Sequence, residues 1–205
     1  EVPGYDRELK PFGYDLFAES PSTFAPATDI PMPTDYIVGP GDIINLQLFG
    51  NQNGSYSLSV SRDGAIVIPK LGPVQVAGLP YSQVLSTVKS KISRQTLGVN
   101  VSMNMGPLRS IRVFVLGDVV KPGSYTVSAL STATNAILAS GGIRPIGSLR
   151  KIEIKRAGKL LGVLDLYDLL LKGDTSGDRR LEPGDVLFVP PVTDRVAVDG
   201  RVMRP

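Results

Sequence analysis

The chain contains no cysteine, no histidine and no tryptophan among its 205 residues. Without cysteine it can form neither a disulfide nor a thiolate metal site, and the redox compartment stays open. Without histidine it lacks the usual general base and the commonest transition-metal ligand, which excludes a serine–histidine–aspartate triad. We therefore expect no enzyme activity, no catalytic residue, no cofactor and no bound metal.

Long apolar runs and blocks of like charge are also missing. No apolar stretch approaches the roughly 20 residues that a membrane-spanning helix needs. The net charge is only +3, the basic residues are dispersed and aromatic residues make up 6% of the chain, so we expect no nucleic-acid partner. Glycine and proline are abundant instead, with 22 and 17 residues, which is typical of short strands and many turns.

Two internal repeats indicate how the chain is organised. Gly39-Pro-Gly-Asp42, followed by alternating apolar residues, returns as Glu182-Pro-Gly-Asp185 before another apolar run. Proline fixes φ, glycine permits positive φ and aspartate can bond nearby amides, so both copies predict a turn that leads into a strand. Residues 112–122 also align without gaps on residues 195–205. We interpret residues 193–205 as the truncated start of a second module, and hence the sequence as a fragment.

Residues 1–34 contain six prolines and no sustained helical or strand period, which predicts an extended N-terminal arm. The arm nevertheless carries apolar side chains that can dock on a surface: Tyr5, Phe12, Tyr14, Leu16 and Phe17. Docking on its own chain and docking on a neighbouring subunit both remain open.

Residues 35–108 are predicted to form a first β-rich module. Ile44, Leu46 and Leu48 alternate with polar residues, as in a half-buried strand, and residues 99–105 show the same pattern. Arg62-Asp-Gly64 lies between two apolar alternations and predicts a β-hairpin. The apolar spacing from Tyr81 to Ile92 predicts an amphipathic helix after that hairpin.

Residues 109–192 are predicted to form a second module with the order hairpin, helix, strands. A helix begins after Ser131 or Thr132, which can cap it, and ends at Gly141-Gly142. The other elements are strands near 111–115, 124–127, 152–154, 160–164 and 186–189, with a short helix over 165–171. This order is typical of a β-grasp-like α+β module. The predicted fold class is therefore α+β, with two small β-rich modules and an N-terminal arm.

These segments resemble the bacterial outer-membrane polysaccharide export family, which includes the Wza-like capsule exporters. For the first module the resemblance lies in Tyr36-Ile-Val-Gly-Pro-Gly-Asp42 and in the Arg62-Asp-Gly64 turn with residues 66–79. For the second it lies in residues 113–125 and in Ala139-Ser-Gly-Gly-Ile143, which are similar to the soluble-ligand-binding β-grasp (SLBB) domain.

The resemblance implies a polysaccharide export domain at 35–108 and an SLBB domain at 109–192, in a protein at the periplasmic face of the outer membrane. It further implies a homo-oligomeric ring, an octamer in this family, through which a polysaccharide passes, and an inner-membrane polysaccharide co-polymerase as partner. Family members carry a lipidated N-terminal cysteine and a C-terminal pore helix. We expect both to lie outside this fragment, so that the outer membrane is reached through missing segments.

Basic residues border the strand that contains Ile152 and Ile154, and they are the candidate contact residues: Arg150, Lys151, Lys155 and Arg156. Alternation places Lys151, Glu153 and Lys155 on one outward face. They either form a solvated face that protects a strand edge, or bind an acidic polysaccharide or a neighbouring subunit.

The sequence offers little support for a metal site or for catalysis by paired carboxylates. The acidic residues of 173–185 do not have the spacing of a calcium-binding loop, and they are typical of turns. Asp165 is better explained as a helix N-cap than as one of a pair of glycosidase carboxylates with Asp168. The alternative function that stays open is a stand-alone carbohydrate or small-ligand binding β-grasp module. Oligomer size separates the two, because a channel wall must close by rotational symmetry.

Overall fold

The computed structural model describes residues 11–18, 32–193 and 195–196. Most of the predicted arm and nearly all of the predicted second copy at 193–205 lie outside the described residues. The chain falls into two units, residues 26–109 and residues 1–25 together with 110–205. Its elements are α1 (Tyr14–Ala18), β1 (Ile43–Gly50), β2 (Gly54–Ser59), β3 (Ala65–Ile68), β4 (Gly72–Gln75), α2 (Tyr81–Gln95), β5 (Val99–Met105), β6 (Ser110–Gly117), β7 (Gly123–Ser128), α3 (Ala133–Ala139), β8 (Ile152–Arg156), β9 (Lys159–Leu164), α4 (Leu166–Lys172) and β10 (Val186–Val189).

The 26–109 unit is built around a three-stranded antiparallel sheet with the order β2-β1-β5. The apolar stripe of α2 is fully buried at Val84, Val88 and Ile92, as its spacing predicts. Ile44 and Leu46 on β1 are likewise 0% exposed. One face of the sheet therefore belongs to the core, and the opposite face points outward. Among the described residues, no helix is both long and apolar enough to cross a bilayer.

The predicted hairpin across Arg62-Asp-Gly64 is wrong as a strand pairing. A tight turn does form, since the amide of Gly64 donates to the carbonyl of Ser61 at 2.9 Å. However, β2 pairs with β1, whereas β3 pairs with β4 in a separate two-stranded sheet. The ladder with β1 extends as far as the bond from the Val60 amide to the Asp42 carbonyl at 2.9 Å. The turn at Gly64 thus joins two separate sheets, and β3 pairs with the strand that follows it.

The second unit contains a five-stranded mixed sheet with the order β7-β6-β10-β8-β9. β6 and β10 run parallel at its centre, and the other neighbours are antiparallel. The inward residues Ile111, Val113 and Val115 of β6 are at most 2% exposed, and Ala136 and Ile137 of α3 are 0% exposed. Hairpin, helix and later strands thus assemble in the β-grasp manner, and the predicted α+β class with β-rich modules is confirmed.

Residues 11–18 of the arm dock on the chain's own β-grasp unit. Tyr14 and Phe17 are buried, and the Tyr14 hydroxyl donates to the carbonyl of Gly147. The Tyr167 hydroxyl donates to the Phe12 carbonyl at 2.9 Å, and the rings of these two residues stack with centroids 6.0 Å apart. Burial is the largest cause that raises the pKa of the Tyr14 phenol, and the nearby Tyr167 raises it further. Arg195 acts in the opposite direction and lowers it. The described part of the arm thus packs within the chain.

Candidate functional site

The two Pro-Gly-Asp repeats place an aspartate in the interior at the start of a strand. Asp42 and Asp185 are both 0% exposed. Each carboxylate accepts the amide three residues before it, from Gly39 at 2.9 Å and from Glu182 at 2.8 Å. The aspartate side chain closes the turn in both copies, as the sequence predicts.

Each buried carboxylate also pairs with an arginine from elsewhere in its unit. Nη1 of Arg109 lies 2.6 Å from Asp42, which also accepts the Tyr36 hydroxyl at 2.8 Å. Asp185 receives Nε and Nη2 of Arg156 at 2.8 and 2.9 Å. Burial, followed by the Asp42 charge, raises the pKa of Tyr36 far above its usual range, so the phenol stays protonated. These carboxylates act as structural anchors, because donors of the protein itself engage their oxygens.

The predicted basic residues do not lie on a sheet edge, because β8 sits between β10 and β9. The edge-protection interpretation is therefore wrong. Arg156 is engaged with Asp185 and with Glu182 at 2.6 Å, and its hydrogen bond to Asp185 raises its pKa. Arg156 thus stabilises the turn into β10.

The other three predicted contact residues each lie in a different environment. Arg150 lies 3.2 Å from Asp165 and 4.5 Å from the centroid of the Tyr167 ring. Lys155 pairs with Glu153 at 2.5 Å and lies 5.1 Å from the Phe188 ring centroid. Lys151 is exposed and makes no ion pair with any described residue. Their role as contact residues stays a prediction.

Acidic residues of the second unit cap helices and turns. Asp165 accepts the Tyr167 amide at 2.8 Å as the N-cap of α4, which confirms the predicted capping role. Asp178 accepts the Thr134 amide at 2.9 Å near the start of α3. Asp174 accepts the Ser176 amide, which lowers the pKa of that carboxyl. Within the described ranges, no three such side chains are grouped as metal ligands.

Apart from Ile43 and Phe49 of β1, the side chains on the outward face of the three-stranded sheet are polar, and its strands carry no charge. We call it the polar face. It consists of eight side chains on three neighbouring strands: Asn45 and Gln47 of β1, Ser55, Ser57 and Ser59 of β2, and Asn100, Ser102 and Asn104 of β5. Asn45 is half-buried and the other seven are exposed. None of the eight makes a side-chain hydrogen bond to another described residue, so their donors and acceptors are available to a ligand.

The strand register arranges these side chains in rows. Asn45 lies between Ser57 and Asn104, and Gln47 lies between Ser55 and Ser102. Neighbouring strands are about 4.8 Å apart and successive rows about 6.7 Å apart in such a sheet. The face can therefore exchange hydrogen bonds with several hydroxyl groups of an extended ligand at once.

Sequence reasoning placed Asn45 and Gln47 on one side of β1 and residues 100, 102 and 104 on one side of β5, but it did not bring them together. The sequence signal that could have identified this face is the absence of charged residues from its three strands. Charged residues make up 20% of the chain, yet β1, β2 and β5 contain none. Strand pairing was needed to show that this absence falls on one surface.

Comparison with known families matches both units. Residues 31–105 match the family described as polysaccharide biosynthesis/export protein, and residues 111–189 match the SLBB domain. Residues 31–105 thus form a polysaccharide export domain, and residues 111–189 form an SLBB domain. Together the two matches cover most of the chain, in the order that the resemblance implied.

Several relatives of this chain carry names that describe transport or export. The polysialic acid transport protein KpsD of Escherichia coli is 34% identical over 170 residues, which cover 82% of this chain and 30% of the relative. The EPS I polysaccharide export outer membrane protein EpsA of Ralstonia solanacearum is 28% identical over 198 residues, which cover 84% of this chain and 52% of the relative. The chain thus spans about a third to a half of the length of these relatives.

Proposed function

We propose that the chain is part of the wall of a ring-shaped channel that exports a polysaccharide, at the periplasmic face of the bacterial outer membrane. The observation that carries the proposal is the succession of an export module and an SLBB module in one chain, in a family whose relatives KpsD and EpsA are named for polysaccharide transport and export. The proposal includes an octameric ring and an inner-membrane polysaccharide co-polymerase as partner, both implied by the resemblance.

The chemistry of the chain supports transport without bond cleavage. A glycosidase needs two carboxyl groups placed on either side of a sugar linkage. Asp42 and Asp185 are buried in ion pairs, and Asp165 and Asp178 accept backbone amides at helix starts. These four carboxylates thus have structural partners, and the chain has no histidine to replace them in acid–base catalysis.

An apolar band on the β-grasp sheet supports assembly into a ring. On the face opposite α3, Phe114 and Leu116 are each 38% exposed. The band continues across the paired strands, because Phe114 lies opposite Val186 and Leu116 lies opposite Phe188. On β8 this face carries the Glu153–Lys155 ion pair, and beyond it, on the edge strand β9, Val163 is 50% exposed. Exposed apolar surface of this kind is typical of a protein contact.

The helical layer of the same unit carries other exposed apolar side chains. Leu16 of α1 is 64% exposed and Leu171 of α4 is 54% exposed. A ring is held by head-to-tail contacts, in which each subunit uses two different surfaces. The sheet band and the helical layer supply two such surfaces, whereas a stand-alone binding module needs neither.

The test is the mass of the native protein in detergent. We expect a closed oligomer that dissociates when Phe114 is changed to Ser, because the exchange removes apolar area from the contact. Val67→Ser is the matched control, since Val67 is 64% exposed but belongs to the other unit. Its mass should be that of the parent.

Export is tested in cells that lack the gene, which should retain polymer until the native gene is restored. A native protein that stays monomeric and binds a small saccharide would favour the alternative, a carbohydrate or small-ligand binding module. Shortening of the polymer by the purified protein would contradict the non-enzymatic proposal.

A further inference from the structure

We propose that the polar face is the surface along which the polysaccharide moves, and that contact is made by uncharged hydroxyl and carboxamide groups, not by the basic residues around β8. This inference rests on the proposed function and names the contact site within it. It follows from the absence of charge, the free hydrogen-bonding groups and the rigid support of the face.

The lack of charge on β1, β2 and β5 needs an explanation, because β2 and β5 are the edge strands of their sheet. Edge strands of soluble proteins usually carry lysine or other charges that prevent unwanted pairing. Here the outward positions of both edges hold only serine and asparagine. A charged wall would attract or repel an acidic polymer over several ångströms, whereas a neutral wall does neither.

The eight side chains suit a ligand that carries many hydroxyl groups. Each serine hydroxyl and each carboxamide both donates and accepts hydrogen bonds, as sugar hydroxyls do. Bonds to the glycan replace bonds to water, so the net gain for each is small and the contact is easily broken. Transport requires this, because a polymer held tightly at each repeat would stop.

A stiff support keeps the rows in place. Directly beneath them, Ile44 and Leu46 are 0% exposed, as is Val88 of α2. Seven of the eight side chains are serine or asparagine, which are short, so they lose little side-chain entropy on contact compared with lysine or arginine. The face therefore acts as a flat, preformed surface.

Phe49 adds an apolar contact at one end of the polar face. It follows Gln47 on the same side of β1, lies opposite Asn100 and is 45% exposed. An exposed aromatic ring can pack against the C–H side of a sugar ring, which supplies a weak contact that does not depend on charge. We expect Phe49→Ala to weaken saccharide binding about twofold to fivefold.

The first experiment maps the contact by NMR on the 205-residue chain. The probes are a neutral dextran oligosaccharide and an acidic oligogalacturonate. We expect both to shift the amide signals of residues 43–49, 54–59 and 99–105, with half-saturation at millimolar concentration. Shifts confined to residues 150–156, or shifts with the acidic probe alone, would overturn the inference.

The second experiment adds charge to the polar face. In Ser57→Glu combined with Ser102→Glu, each new carboxylate should weaken binding of oligogalacturonate about threefold to fourfold at low salt, as expected for like charges about 5 Å apart in water. Dextran binding should change less than twofold. The matched Ser57→Ala and Ser102→Ala double variant separates loss of hydroxyls from gain of charge, and Lys151→Ala should change neither affinity. Equal effects of both double variants on oligogalacturonate would contradict the inference.

A cellular assay separates this inference from the proposed function. The native protein with both glutamates should keep its oligomeric mass but export an acidic polymer more slowly. Normal mass with normal export would refute the polar face as the contact surface and leave the proposed function intact. If the unaltered protein neither assembles nor restores export, the proposed function fails, and the NMR titration still decides whether this face binds glycans.

Discussion

Asp42→Asn should destabilise the 26–109 unit strongly, because the carboxylate is completely buried and is surrounded by donors. It accepts the Tyr36 hydroxyl, the amides of Gly39 and Arg109, and Nη1 of Arg109, at distances from 2.6 to 3.1 Å. An asparagine keeps one acceptor oxygen, but its NH₂ group must face donors. The exchange therefore leaves amide or guanidinium hydrogens without an acceptor.

The magnitude follows from the burial of the two partners. Removing one partner of a buried ion pair costs about 3–5 kcal/mol. The Arg109 side chain is 20% exposed and can recover some hydration, so we expect a loss near the lower limit, about 3 kcal/mol. With a urea dependence of about 1–3 kcal/mol per molar, the unfolding midpoint should fall by about 1–3 M.

The assay is urea unfolding followed by circular dichroism at neutral pH. Asp63→Asn is the matched control, because Asp63 is exposed in the turn after β2 and its side chain makes no hydrogen bond to a described residue. That variant should stay within about 0.5 kcal/mol of the parent. If Asp42→Asn shifts the midpoint no more than Asp63→Asn does, the buried ion pair is not the anchor that its geometry indicates.

Two further predictions concern the arm and the response to alkali. Phe17→Ala should release the arm segment, because Phe17 is only 5% exposed and its ring is lost from the packing. Limited proteolysis before residue 32 should then become several-fold faster. Leu16→Ala is the control and should not change the rate, because Leu16 is 64% exposed. Burial raises the pKa of Tyr81, whose hydroxyl donates to the Met103 carbonyl at 2.7 Å. The unfolded phenol ionises near pH 10 while the folded one keeps its proton, so stability should fall as pH rises above about 10. In urea unfolding at a series of pH values, the free energy of unfolding of Tyr81→Phe should fall less steeply than that of the parent between about pH 9 and 11. Equal slopes for the two proteins would refute this.

The order of the elements could be predicted largely from local patterns. Alternation gave β1 and β5 with their outward residues, and apolar spacing gave the buried stripe of α2. Thr132 and Asp165 begin α3 and α4 at the predicted caps. These features depend on residues close in sequence, because side-chain direction and capping are set within a few residues.

Strand pairing was not accessible in the same way. A tight turn was predicted correctly at Gly64, but β3 pairs with β4 and not with β2. Likewise, β8 lies inside its sheet, although an edge position was one of its two predicted interpretations. Period-two alternation gives the face of a strand and not its neighbour. Partners are fixed by hydrogen bonding and core packing across the whole unit.

The sequence by itself determined the α+β class, the turns at the two Pro-Gly-Asp repeats and the neutral character of three strands, because these are properties of composition and short-range order. Only the tertiary structure decided that Arg109 reaches Asp42, 67 positions away, and that Asn45 stands between Ser57 and Asn104. Such contacts join residues far apart in the chain, and they form only when the buried faces of the sheet and of α2 bring them together.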